Sequence, residues 1–63
     1  SLTVRELETL RLVAAGLTNE GIAQQLVVTP ATVKSHLAHT YAKLGVQSRT
    51  EAIALARERG LIS

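Results

Sequence analysis

The side chains able to do polar chemistry gather around one stretch, "VVTPATVKSHLAHTYAKLGV", Val27 to Val46. It carries Lys34, His36, His39 and Lys43. Two histidines three residues apart share one side of a helix, where their imidazoles could approach a metal or trade protons. A metal needs further ligands, and the chain has no cysteine and no aspartate to supply them. No metal site and no cofactor is therefore expected. Sixty-three residues also leave little room for a substrate cleft, so the reading is not an enzyme.

The lysines suggest a second chemistry, attraction of a polyanion. No acidic residue lies between Glu20 and Glu51, while Lys34, Lys43 and Arg49 fall inside that interval. The acids crowd the two ends: Glu6, Glu8 and Glu20, then Glu51 and Glu58. The net charge is only +2, and three cations also fit an ordinary solvated surface. Charge alone does not decide between the two. Tyr41 is the only aromatic residue, too few for a platform that stacks unpaired bases. No apolar run reaches the ~20 residues of a membrane span, and no signal peptide is visible. No membrane partner is expected.

The elements that position these residues read as four helices in one all-α domain. Thr3 caps the first and Glu6 completes a capping box; Leu2 can staple onto Leu7. Leu7, Leu10, the stem of Arg11 and Ala14 form its inward stripe, and Gly16 stops it with Leu17 packing back. The second spans about Asn19 to Leu26, capped by Thr18 or Asn19, with Ile22, Ala23 and Leu26 inward. Gly21 costs this helix about 1 kcal/mol relative to alanine. The third has Thr29 as cap and Pro30 at its first position, and runs to about Leu44 before Gly45. The fourth begins at Ser48 with a second capping box to Glu51 and stops at Gly60.

Residues on a helix advance about 100° each. Val33, Leu37, Thr40 and Leu44 then share the core side of the third helix, and Ala31, Ser35, Ala38 and Ala42 lie opposite. Lys34 and His39 flank the small residues; His36 and Lys43 lie nearer the core boundary. A solvated face usually carries long charged chains. A short-chained face edged by cations suits a major groove, with base edges at its floor and phosphates on its walls. Surface alanines also raise helix propensity, so the pattern fits a merely stable helix too. The short second helix, the three-residue turn and the longer third helix form a helix-turn-helix arrangement, although the turn has no glycine.

The full pattern resembles the LuxR-type (GerE/FixJ/NarL-like) helix-turn-helix domain of bacterial transcription regulators. The residues that carry it are "LTVRELETLRLVAAGLTNEGIAQQL", "TPATVKSHLAHTYAKLGVQSRTEAIALA" and "RGL", almost the whole chain. The resemblance implies a compact four-helix domain that binds double-stranded DNA with its third helix in the major groove. It implies base contacts at Lys34 and Ser35, and at Ala38, where relatives often carry a longer polar chain. Thr18, Asn19, Thr29, Thr32, His39 and Lys43 are the candidate phosphate contacts. The family pattern does not settle His36, which either packs at the domain edge, the favoured reading, or touches a phosphate. Gly21 stands where the family often has glutamate, and Thr40 where an aliphatic residue is frequent.

The fourth helix can be read without the family. Ala52, Ile53 and Ala56 should close the core with Leu61, while Glu51, Ala54, Leu55 and Glu58 point away. One exposed leucine is ordinary. The resemblance makes this face the expected homodimer contact on paired half-sites. It also implies that residues 1–63 are the C-terminal output domain of a longer regulator in the bacterial cytoplasm, at the nucleoid, with RNA polymerase as a further partner. No small-molecule ligand is expected in the domain itself. The rival is a protein-docking module, which should show larger exposed apolar anchors than alanines and a serine.

Overall fold

The computed structural model describes residues 2–62. Four helices follow in order: α1 (Val4–Ala14), α2 (Asn19–Leu26), α3 (Pro30–Leu44) and α4 (Arg49–Glu58). No strand occurs among the described residues.

The caps explain the boundaries. The Thr3 hydroxyl accepts from the Glu6 N–H at 3.1 Å, and Glu6 Oε1 accepts from the Thr3 N–H at 2.8 Å, a complete capping box. Thr18 Oγ1 accepts from the Gly21 N–H at 3.1 Å, so Thr18 rather than Asn19 is the cap of α2. Thr29 does the same for Thr32, and Pro30 opens α3. At α4 the expected second box is only half made. Ser48 Oγ accepts from the Glu51 N–H at 3.2 Å, but the Glu51 carboxylate turns to the Ser48 hydroxyl at 3.4 Å instead of to its backbone. After α1, Leu17 N–H donates to Leu12 O and Gly16 N–H to Val13 O. These two bonds satisfy carbonyls that the helix end leaves open.

Two clusters hold the helices. Val13, Ile22, Ala23, Val33 and Leu37 join α1, α2 and the N-terminal half of α3. Leu10, Leu44, Ala52 and Ala56 join α1, α4 and the C-terminal end of α3. Tyr41 packs against both. Helix α3 is thus anchored at both ends, which fixes the direction of its outer face. Each fully buried large aliphatic side chain contributes about 1.5–3 kcal/mol.

The inward stripe of α1 differs from the sequence expectation. Glu6, Thr9, Leu10 and Val13 are buried, while Leu7 and Ala14 are half-buried and Arg11 is exposed. The helix is turned so that Val13 meets α2 and α3. Two polar residues can enter the stripe because their groups are satisfied: Thr9 Oγ1 donates to Arg5 O at 2.8 Å, and Glu6 is bonded on both sides. Leu2 packs onto the second cluster. Ile53 and Leu61 are half-buried, so Ala52 and Ala56 form the tight contact of α4. Thr40 is fully buried, its hydroxyl donating to His36 O at 2.8 Å.

Candidate nucleic-acid interface

The α2–α3 turn depends on one residue in an uncommon conformation. Val27 has φ 57° and ψ 50°, the left-handed region, and is 89% exposed. This is the position where a glycine was missing from the sequence pattern. A β-branched residue there is strained, and the turn keeps its shape because Val28 packs into the first cluster and its N–H donates to Ala23 O. Gly21, by contrast, is not demanded by space. An added Cβ would meet Thr18 Oγ1 at 3.5 Å and Leu17 Cβ at 3.6 Å, ordinary contact.

On α3 the two faces separate as the periodicity predicts. Val33, Leu37, Thr40 and Leu44 are buried. Ala31, Lys34, Ser35, Ala38, His39 and Ala42 are all exposed, and His36 is half-buried at the boundary. The outer face is therefore a strip of methyl groups and one hydroxyl, with Lys34 beside it on one flank and His39 on the other. An α-helix with its side chains is roughly 10–12 Å across. The major groove is about 12 Å wide, so short chains decide whether the helix reaches the floor.

The candidate phosphate contacts keep free donors. Thr18 Oγ1 only accepts, from Gly21, which leaves its hydroxyl proton available. Thr29 and Thr32 hydroxyls lie 2.9 Å apart; one proton bridges them and the other hydroxyl keeps its own. Asn19 is half-buried and its Oδ1 accepts from Arg49 Nη2 at 3.2 Å. Arg49 Nη1 also donates to Leu17 O at 3.4 Å.

Lys43 is differently placed from the free cation read in the sequence. Its Nζ lies 2.8 Å from Glu6 Oε1, an ion pair between the last turn of α3 and the first turn of α1. The Lys43 side chain is 43% exposed and that of Glu6 8%. The pair, then the Thr3 N–H, hold the Glu6 carboxyl down at about 2 from an ordinary 4.5. Lysine has three protons to donate, so two remain for another partner.

On α4, Glu51, Ala54 and Glu58 are exposed, as read from the sequence. Leu55 is not. It is half-buried against the second cluster, and with Leu44, Val46 and Ala54 it lines an open cleft. Among the described residues no group of three or more His, Cys, Asp or Glu side chains could hold a metal ion. Among them also no helix is long and apolar enough to cross a membrane.

A short helix, a tight turn and a longer helix with an open, short-chained face define a helix-turn-helix DNA-binding domain. The chain belongs to the luxR family of bacterial regulatory proteins, whose GerE model matches residues 1–56. It is 44% identical over 63 residues to the transcriptional regulatory protein LiaR of Bacillus subtilis, covering 100% of this chain and 30% of LiaR. It is 50% identical over 60 residues to Rv0890c of Mycobacterium tuberculosis, described as an HTH-type transcriptional regulator, covering 95% of this chain and 7% of that one. Among solved structures, the transcription factor GerE superposes with a TM-score of 0.92 at 35% identity, over 98% of this chain and 92% of GerE. The response regulator ChrA of a haem-sensing two-component system superposes with a TM-score of 0.93 at 48% identity, over 98% of this chain and 31% of ChrA. The chain thus spans less than a third of LiaR and of ChrA. Its family is one of DNA-binding domains of transcription regulators.

Proposed function

We propose that this domain reads double-stranded DNA by lodging the outer face of α3 in the major groove. The observation that carries the reading is the exposed strip of Ala31, Ser35, Ala38 and Ala42, held rigidly by a core that grips α3 at both ends. Lys34 and Ser35 contact base edges. Ala38 offers only a methyl, which suits a thymine methyl better than a hydrogen-bonding edge. Thr18, Asn19, Thr29, Thr32 and His39 contact phosphates on the groove walls, where the N–H groups of the first turns add to the attraction. Lys43 contributes less, because Glu6 already neutralises it at close range.

Two copies bind paired half-sites through α4, with Ala54 at the centre of the contact and Glu51, Leu55 and Glu58 around it. The domain serves as the C-terminal output part of a longer regulator, at the nucleoid, where the assembled protein engages RNA polymerase. The test is titration of a duplex pool at several salt concentrations. The reading requires log affinity to fall linearly with log salt, at roughly −0.9 per phosphate contacted. Binding that ignores salt, or none at high protein concentration, contradicts it.

A further inference from the structure

Arg49 is the first residue of α4, yet its guanidinium reaches across to the start of the helix-turn-helix. Its two terminal nitrogens divide between Leu17 O at 3.4 Å and Asn19 Oδ1 at 3.2 Å. The helix bodies of α2 and α4 do not pack on one another. Among the described residues the arginine fork is the polar link between them. Glu51, the nearest acid in sequence, is turned to the Ser48 hydroxyl, and Arg49 forms no ion pair with any described residue.

The link has a chemical consequence for Asn19. Guanidinium only donates, so it fixes which end of the carboxamide faces it. The oxygen turns to Arg49 and the NH2 group is left at the other end. Asn19 therefore presents donors, not an acceptor, beside the free hydroxyl proton of Thr18. A carboxamide turned the other way would offer its oxygen to a phosphate and repel it. We infer that Arg49 is a positioning residue for DNA binding: it holds Asn19 in the one orientation that donates to a phosphodiester oxygen. This inference rests on the proposed DNA reading. It assigns Arg49 a role through its fork rather than through its charge, because an ammonium at the same place cannot hold Leu17 O and Asn19 Oδ1 with two parallel donors.

The experiment uses Arg49→Lys, which keeps the charge, together with Asn19→Ala and the double variant. The probe is a pool of 30-base-pair random duplexes, since phosphate contacts need no particular sequence. Wild type must bind the pool with salt-dependent affinity. Arg49→Lys is expected to bind about threefold to tenfold more weakly with an unchanged salt slope, and to cost nothing further once Asn19 is alanine. In the free protein, the two side-chain amide proton resonances of Asn19 are expected to move in Arg49→Lys, towards the positions of a carboxamide whose oxygen faces only water. Full affinity in Arg49→Lys, or the same loss with Asn19 absent, overturns the inference while the DNA reading stands. No binding by the wild type removes both. An unchanged Asn19 amide signal in Arg49→Lys overturns the positioning role whatever the duplex does.

Discussion

Lys43 Nζ lies 2.8 Å from Glu6 Oε1 and joins the C-terminal turn of α3 to the N-terminal turn of α1. The same carboxylate oxygen accepts the Thr3 N–H. One buried carboxylate thus fixes a helix cap and the far end of the candidate recognition helix together.

Acid should loosen this link first. The Glu6 carboxyl sits at about 2 in the folded chain and near 4.5 when unfolded. A depressed folded value means its contribution is complete above the unfolded value and is lost as pH falls from about 4.5 towards 2. Thermal melts across that range should show wild type losing stability on acidification more than Glu6→Gln. Lys43→Ala should bring the Glu6 titration, followed by NMR, back towards its ordinary range. A Glu6 titration near 4.5 in the wild type contradicts the pairing.

Val27 should be replaceable with gain. Its left-handed conformation costs an L-residue roughly 1–2 kcal/mol, more when β-branched, and its side chain is exposed. Glycine gives back part of that through the entropy of the unfolded chain. Val27→Gly should raise unfolding stability by about 0.5–1 kcal/mol in urea melts. A loss of stability there means the turn is held differently.

Lys34→Ala should leave the melting behaviour unchanged, because Lys34 is exposed and makes no ion pair among the described residues. It should lose about 1–3 kcal/mol of discrimination at one base position. A selection from random duplexes with both proteins reads this directly. Lys43→Ala, with its charge already engaged, should change affinity less than Lys34→Ala.

Ser35→Leu tests the fit of the small-residue strip. The site is exposed, so stability should move by no more than about 0.5 kcal/mol. Duplex affinity should fall by about tenfold or more, because the longer chain holds the helix away from the groove floor. Unchanged affinity means α3 does not enter a narrow space.

The helices were legible in the sequence because their signals are local. Thr3, Thr18, Thr29 and Ser48 act within three residues of themselves, and Pro30 and Gly45 mark the ends of α3. The outer face of α3 was legible for the same reason, since one period generates it. What sequence could not reveal are the links across long stretches of chain. Lys43 finds Glu6 37 residues away and Arg49 finds Asn19 30 away. Burial of Glu6 and Thr9 also hid the true stripe of α1, because hydrophobic periodicity scores a glutamate as solvent-facing. Leu55 looked like an outward residue on the wheel, yet the second cluster partly covers it.

The central claim, that the methyl strip of α3 meets the floor of the groove, is tested most directly by intermolecular NOEs on a protein–duplex complex with labelled alanine methyls. The account predicts contacts from Ala31, Ala38 and Ala42 to major-groove base protons. Those methyls remaining in water, while another helix shows the contacts, would contradict it.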